Sequence, residues 1–121
     1  MKIFTNAYGK EALNNSRWNL SHFYPEIPDI VIDNPGNIVI IDERSELRLF
    51  GTAVTILPVP GHDESCMAYL IGRMLFTGDA FIPGKKVVTN LPRCNRELAL
   101  KSQAYLQEIS SQYELFPGHS E

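Results

Sequence analysis

One kind of turn occurs three times in this sequence, each time at the end of an apolar run. It is Pro-Gly-His at 60–62 and 117–119, and Gly-Asp at 78–79. Glycine allows the backbone to turn sharply, and the side chain that follows it projects from the end of the preceding strand. The sequence therefore predicts that His62, Asp79 and His119 converge at one edge of a β-sheet.

Length and composition fit one globular domain and exclude several classes of function. The chain has 121 residues, 44% of them hydrophobic and 21% charged, which suffices for one modest core. Its net charge is -3 and its basic residues are scattered, so we expect no nucleic-acid partner. The apolar runs are too short for a membrane helix, and the N-terminus lacks the apolar region of a secretory signal. With two isolated cysteines, Cys66 and Cys94, the sequence predicts a cytoplasmic protein with free thiols.

The apolar pattern predicts many short strands and two helices. Asn6 is the expected N-cap of a helix to about Asn14, and Asn95 that of an amphipathic helix to about Ser111. A turn is expected at 33–36, where Asp-Asn-Pro-Gly separates two β-branched runs. This mixture favours an α/β domain with a mixed sheet. The predicted strands cover residues 1–5, 30–32, 38–41, 46–50, 53–59, 66–71, 73–76, 87–89 and 113–116.

A long irregular connection is predicted between residues 14 and 28. It is rich in Asn, Ser, Pro and large apolar side chains. Trp18, Leu20, Phe23 and Tyr24 are expected to pack in the core, since large apolar side chains favour burial. The alternative is that the aromatic residues among them line a substrate cleft.

The three turn residues have the chemistry of metal ligands. Zinc accepts imidazole nitrogen and carboxylate oxygen, and catalytic zinc sites commonly combine three protein ligands with a water. A single His after Pro-Gly is more often a surface turn residue than a ligand, so the hypothesis depends on all three together. Other polar residues lie near these turns, and we expect them to be solvated: Asp63, Glu64, Lys85 and Lys86. The two lysines could instead contact an acidic ligand.

Three segments resemble the second half of the metallo-β-lactamase superfamily. They are Leu-Pro-Val-Pro-Gly-His at 57–62, Met-Leu-Phe-Thr-Gly-Asp-Ala at 74–80 and Glu-Leu-Phe-Pro-Gly-His at 114–119, in the family's order. The segment from Lys2 to Ser21 resembles the strand and helix that follow the family's first metal motif. The resemblance implies a partial metallo-β-lactamase-like sandwich, with a mixed β-sheet and flanking helices.

The resemblance also implies a role for each turn residue. His62 would ligate a first metal, Asp79 would bridge two, and His119 would hold the second. The cofactor would be one or two zinc ions, and metal-bound hydroxide would attack an ester, thioester, lactam or phosphoester. The family's His-x-His-x-Asp-His motif is absent, and His22 is the one remaining histidine. No residue is assigned as catalytic, and the domain is expected to be incomplete and inactive alone.

Because the motif is missing, we expect residues 1–121 to form a single, truncated domain, or to come from a cut reading frame. Such a domain would expose part of a sheet, with Val54, Ile56, Met67, Tyr69 and Leu75 on that face. The expected partner is therefore a second copy or a chain that supplies the missing half. The alternative function is a non-catalytic, hydrolase-like module that self-associates or binds a partner. The sequence does not identify a substrate beyond a small molecule.

Overall fold

The computed structural model describes residues 2–30, 32, 35–91 and 93–119. The chain divides into two compact units, Met1–Asp42 and Glu43–Glu121. Each has its own sheet, and the single-domain boundary remains a prediction. Within the described ranges, no helix has both the length and the apolar character needed to cross a membrane.

The first unit is a small parallel strand pair connected through a helix. Strand β1 pairs in parallel with strand β2, and helix α1 follows β1 directly. The predicted N-cap of this helix is confirmed, because the Asn6 side chain accepts a hydrogen bond from the backbone N–H of Gly9 at 2.8 Å. The elements are β1 (Ile3–Thr5), α1 (Ala7–Leu13), two short 3₁₀ turns (Ser21–Phe23 and Pro35–Asn37) and β2 (Ile38–Ile40).

The connection between α1 and β2 is irregular, as predicted, but the expected burial of its apolar residues is wrong. Polar side chains take the inner positions: Asn19 donates to two backbone carbonyls, and Ser21 accepts from the N–H of Ile30. These bonds fix the path of the chain. As a consequence, four large apolar side chains are left exposed, namely Trp18, Leu20, Phe23 and Tyr24.

The second unit is a five-stranded mixed sheet in the order β3-β4-β5-β6-β7. Strands β3 to β6 form an antiparallel meander, and β7 lies parallel to β6 after the crossover through helix α2. The predicted α/β class and mixed sheet are confirmed. The elements are β3 (Ser45–Leu49), β4 (Thr52–Pro58), β5 (Met67–Ile71), β6 (Met74–Gly78), α2 (Arg96–Ser110) and β7 (Glu114–Pro117).

Helix α2 packs on one face of this sheet. Its buried residues, Ala99, Ser102 and Leu106, recur every three or four positions, as an amphipathic helix requires. Asn95 caps the helix by accepting from the N–H of Leu98 at 3.0 Å, which confirms the predicted cap. Leu106 belongs to a core cluster with sheet residues that include Leu75. This core fixes the end of the sheet at which β4, β6 and β7 terminate.

The sheet face that we expected to be exposed is not. Val54 and Ile56 are buried, and so is the adjacent Leu57, so β4 is buried on both faces. Leu75 lies on the helix side, within the core cluster, and Met67 and Tyr69 are half-buried. The apolar pattern of β4 therefore marks a central strand.

Two further predictions concern strands and turns outside the sheets. Residues 87–89 form no strand, although two of them are valines, and they pair with no strand of either sheet. Ile30 and Ile32 lie outside any strand, and Val31 lies outside the described residues. The turn predicted at 33–36 falls partly outside the described residues, and Pro35–Asn37 form a 3₁₀ turn.

Candidate metal centre

The strand directions bring the three turn residues to one end of the sheet. Strands β4, β6 and β7 run the same way, since β5 is antiparallel to both of its neighbours and β7 is parallel to β6. Gly78 pairs with Pro117 in the β6–β7 register, so the residues that follow these two are neighbours. The predicted convergence of His62, Asp79 and His119 at one edge is what the structure shows.

The Asp79 carboxylate lies between the two imidazoles. His62 Nε2 is 3.5 Å from Asp79 Oδ2, and His119 Nε2 is 3.0 Å from Asp79 Oδ1. Each ring faces a different oxygen of this carboxylate. The exposed fraction of the side chain rises from 21% for His62 to 36% for Asp79 and 67% for His119. The centre is therefore closed on the His62 side and open on the His119 side.

The tautomer of His62 is fixed by a backbone carbonyl. Its Nδ1 lies 2.9 Å from the Val88 oxygen, which can only accept, so Nδ1 carries the proton. The other ring nitrogen, Nε2, faces Asp79 Oδ2 at 3.5 Å. A proton or a cation between Nε2 and Oδ2 would stabilise this pair. Metal-ligating histidines commonly donate their second ring N–H to such a carbonyl.

Two of the turn glycines are required by close approach. A side chain at Gly61, where φ is +138°, would collide with the backbone of Ala99 in helix α2. A Cβ at Gly118 would lie 2.7 Å from Asp79 Oδ1 and 2.9 Å from the backbone carbon of Gly78. Gly61 therefore lets helix α2 approach the His62 turn, and Gly118 leaves room for the Asp79 carboxylate and the Gly78 backbone.

Sequence reasoning missed Thr77, which shapes the turn that carries Asp79. This residue is buried, and its Oγ1 donates to the carbonyl of Phe81 at 2.7 Å. The N–H of Ala80 donates to the Thr77 carbonyl at 3.2 Å, which closes the same turn. A threonine just before Gly-Asp at the end of a strand was the available signal.

The carboxylate beside His62 has a role that differs from our expectation of a solvated turn residue. Asp63 forms an ion pair with Arg93 and accepts hydrogen bonds from the N–H and Oγ of Ser65. Glu64 is half-buried.

The two cysteines, Cys66 and Cys94, are both free. Burial raises the pKa of the Cys66 thiol, so it stays protonated at neutral pH and is a poor nucleophile.

A cavity of about 230 Å³ opens over the three turn residues. Its remaining wall is supplied by the loop after Asp79: Ile82, Lys85, Lys86, Val87 and Val88. The loop between Phe81 and Asn95 thus shapes the pocket. The third histidine, His22, belongs to the first unit, where it pairs with Asp29 at 3.2 Å and lowers the pKa of that carboxyl.

The donors do not surround a single point. Within the described residues, no group of three or more His, Cys, Asp or Glu side chains is arranged to hold a metal ion. The reason is that the two imidazoles face different oxygens of Asp79. The arrangement is two nitrogen–oxygen pairs that share one carboxylate.

The chain matches the model of the metallo-beta-lactamase superfamily over residues 3–119. It therefore belongs to the metallo-beta-lactamase superfamily. No functionally curated protein shows significant similarity to it.

Solved structures agree on the fold. TTHA1623 in a di-iron-bound form has a TM-score of 0.75 at 20% identity, and the match covers 100% of this chain and 58% of that one. BLEG-1 B3 metallo-beta-lactamase has a TM-score of 0.78 at 19% identity, with coverage of 100% and 58%. An archaeal superfamily protein from Sulfolobus tokodaii, ST1585, has a TM-score of 0.68 at 19% identity, with coverage of 98% and 52%. The chain thus spans little more than half the length of these structures.

Proposed function

We propose that this chain is a metal-dependent, hydrolase-like domain in which Asp79 is shared between two metal positions. His62 and Asp79 would hold one ion, and Asp79 and His119 the other. The observation that carries the proposal is the carboxylate placed between two imidazole nitrogens, at 3.5 and 3.0 Å.

The spacing of the donors supports this assignment. Two ligands at about 2.1 Å from one tetrahedral zinc ion lie about 3.4 Å apart. The His62–Asp79 separation is close to that value, and the His119–Asp79 separation is somewhat shorter. With its Nδ1–H held by the Val88 carbonyl, His62 directs Nε2 toward Asp79, and Nε2 would be the metal donor.

The donor set is compatible with zinc or with iron. Imidazole and carboxylate suit both metals, and one similar solved structure is in a di-iron-bound form. Such an ion polarises a carbonyl or phosphoryl oxygen and lowers the pKa of a bound water. The chain's own part is to position the donors and to shape the cavity beside them.

The cavity favours a small molecule with both apolar and anionic parts. Three of its lining residues, Ile82, Val87 and Val88, offer apolar surface. Lys85 and Lys86 line the same cavity and would attract negative charge. The sequence leaves open an ester, a thioester, a lactam or a phosphoester as the substrate. Within any of these classes, a substrate with an acidic group suits this lining best.

Each proposed ion has two protein donors, whereas zinc takes three or four ligands. We therefore propose that the chain is inactive alone and associates with a second copy, or with a chain that supplies the missing donors. The exposed apolar side chains of the first unit support association: Trp18, Leu20, Phe23, Tyr24 and Ile27. Both thiols are free, which suits a cytoplasmic location.

The association is tested by sedimentation velocity at micromolar concentration. The expected species is larger than 13.7 kDa. A clean monomer that does not bind a hydrophobic dye contradicts it.

The metal site is tested by elemental analysis of protein purified without chelator. We expect bound zinc or iron in the wild type, and loss of metal in His62→Ala and His119→Ala. His22→Ala is the matched control, because this histidine pairs with Asp29 instead. Metal that persists unchanged in both site variants contradicts the assignment.

A non-catalytic module is the second candidate. It is favoured by the shortage of donors, since no described group of three could hold an ion. Protein that associates yet binds neither zinc nor iron would support this function over the first.

A further inference from the structure

Residues 93–95, just before helix α2, contact the turn that carries His62. Arg93 pairs with Asp63 through two contacts, Nε to Oδ2 at 3.3 Å and Nη2 to Oδ1 at 3.4 Å. Cys94 Sγ donates to the His62 carbonyl at 2.8 Å. The N–H of Asn95 donates to the Gly61 carbonyl at 2.7 Å. Three consecutive residues thus contact three consecutive residues, and we call this set of contacts the clasp.

The clasp is formed at a conformational and solvation cost. Arg93 has φ +72°, in the left-handed region that non-glycine residues rarely adopt. Only 12% of its side chain is exposed, so the guanidinium has lost most of its hydration. The paired carboxylate offsets part of this loss, because Arg93 Nη2 donates to Asp63 Oδ1 and Nε lies 3.3 Å from Oδ2. A strained, desolvated arginine next to a candidate ligand indicates a role beyond closing a loop.

The clasp acts on His62 through its backbone. Its contacts fall on the residue before His62, on its own carbonyl and on the residue after it. The ring is held separately by the Val88 carbonyl, which also lies 3.6 Å from Cys94 Sγ. Backbone and ring are therefore fixed by the same loop, and Nε2 has little freedom to leave its direction toward Asp79.

We infer that Asp63 and Arg93 are positioning residues that pre-organise His62 as a metal ligand. The inference rests on the proposed function, because it concerns the same metal site. Neither residue is among the described residues that line the cavity. Breaking the pair should weaken metal affinity more than it weakens the fold, since supporting partners of this kind typically contribute about 10–100-fold in affinity.

The test compares Arg93→Gln, Asp63→Asn and Arg93→Lys with the wild type. Zinc affinity is measured by competition with a chromophoric chelator, and folding by thermal unfolding of the metal-free protein. Lys101→Gln is the matched control, since it breaks an exposed pair with Glu97 on helix α2. We expect Arg93→Gln and Asp63→Asn to weaken zinc binding about tenfold or more. Arg93→Lys should restore part of the affinity, because it keeps the charge without the fork.

A second readout does not need the metal. In ¹⁵N-histidine spectra of the metal-free protein, His62 should show a single Nδ1–H tautomer. Arg93→Gln and Asp63→Asn should each give a mixture of the two His62 tautomers. Variants that bind zinc no worse than Lys101→Gln, or that leave the His62 tautomer unchanged, overturn the inference. A wild type that binds no zinc refutes the proposed function instead, and the tautomer measurement then decides whether the clasp orders His62.

Discussion

The tripeptide Pro-Gly-His occurs twice in this protein, and its two copies have different surroundings. His62 is 21% exposed, its ring contacts Val88 and Asp79, and its backbone is held by the clasp. His119 is 67% exposed, and its ring has one partner among the described residues, Asp79. The same local sequence thus produces one firmly held imidazole and one loosely held imidazole.

The difference shows what a turn motif determines and what it leaves open. Pro-Gly delivers the imidazole to the end of a strand in both copies. Whether the ring is then fixed depends on what packs against the turn. Helix α2 and the loop before it cover the first copy, whereas the second ends strand β7 beside the Asp79 turn. We therefore expect the His62 position to bind metal more tightly than the His119 position.

The largest expected effect is a loss of folding stability when a single methyl group is added at the first Pro-Gly-His turn. Gly61→Ala should destabilise the fold by roughly 3 kcal/mol, because Cβ meets the Ala99 backbone and φ is +138°. Gly118→Ala should cost less stability, because its Cβ meets the Gly78 backbone less closely, at 2.9 Å, and it should also disturb the metal site by pressing on Asp79 Oδ1. Urea unfolding of both variants measures the difference. Equal losses of stability would contradict the contrast between the two turns.

Removal of the two imidazoles should have unequal effects. His62→Ala should weaken zinc binding about 100-fold and His119→Ala about tenfold, because fixing a ligand in advance improves its binding. Chelator competition on both variants, with His22→Ala alongside, measures the ratio. A larger loss for His119→Ala would reverse the order that the packing implies.

A smaller effect should follow from the hydrogen bond between helix α2 and the first turn. Ser102 Oγ donates to the Pro60 carbonyl at 2.7 Å. Ser102→Ala should cost about 1 kcal/mol of stability, the net value of a typical hydrogen bond. Ser110→Ala, which removes a solvent-exposed hydroxyl on the same helix, is the control. Thermal unfolding measures the stability of both variants. An equal loss in the two would contradict a specific stabilising role for the Ser102–Pro60 hydrogen bond.

The smallest effect concerns the thiol beside the first turn. Burial raises the pKa of Cys66, so the folded state favours the protonated thiol. The stability that this preference contributes is present below the unfolded pKa and is lost as pH rises through the folded pKa. Alkylation of Cys66 at pH 8 should therefore be slower than that of a free thiol, and should accelerate at higher pH. Peptide mass spectrometry separates Cys66 from Cys94, and fast reaction at pH 8 would contradict the burial.

Much of the local structure was predictable from neighbouring residues. The caps Asn6 and Asn95, the strand ends and the three turn residues each depend on neighbours within a few positions. The valines at 87–89 were misassigned as a strand because β-branched residues favour strands only where a partner strand exists. In the folded loop, Val88 instead supplies the carbonyl that orients His62.

Interactions between distant residues were not predictable in the same way. Asp63 and Arg93 are far apart in sequence, and nothing beside either residue indicates the other. The exposed aromatic residues of the first unit were assigned to the core because large apolar side chains usually favour burial. The path of the chain is set instead by the polar contacts of Asn19 and Ser21, and these contacts have no periodic pattern in the sequence.

Zinc titration of ¹⁵N-histidine-labelled protein tests the central claim most directly. The account predicts that the Nε2 signal of His62 shifts first, that His119 follows at higher zinc, and that His22 stays unchanged. A response by His22 alone, or equal responses by all three imidazoles, would show that the Asp79 centre does not bind metal as described.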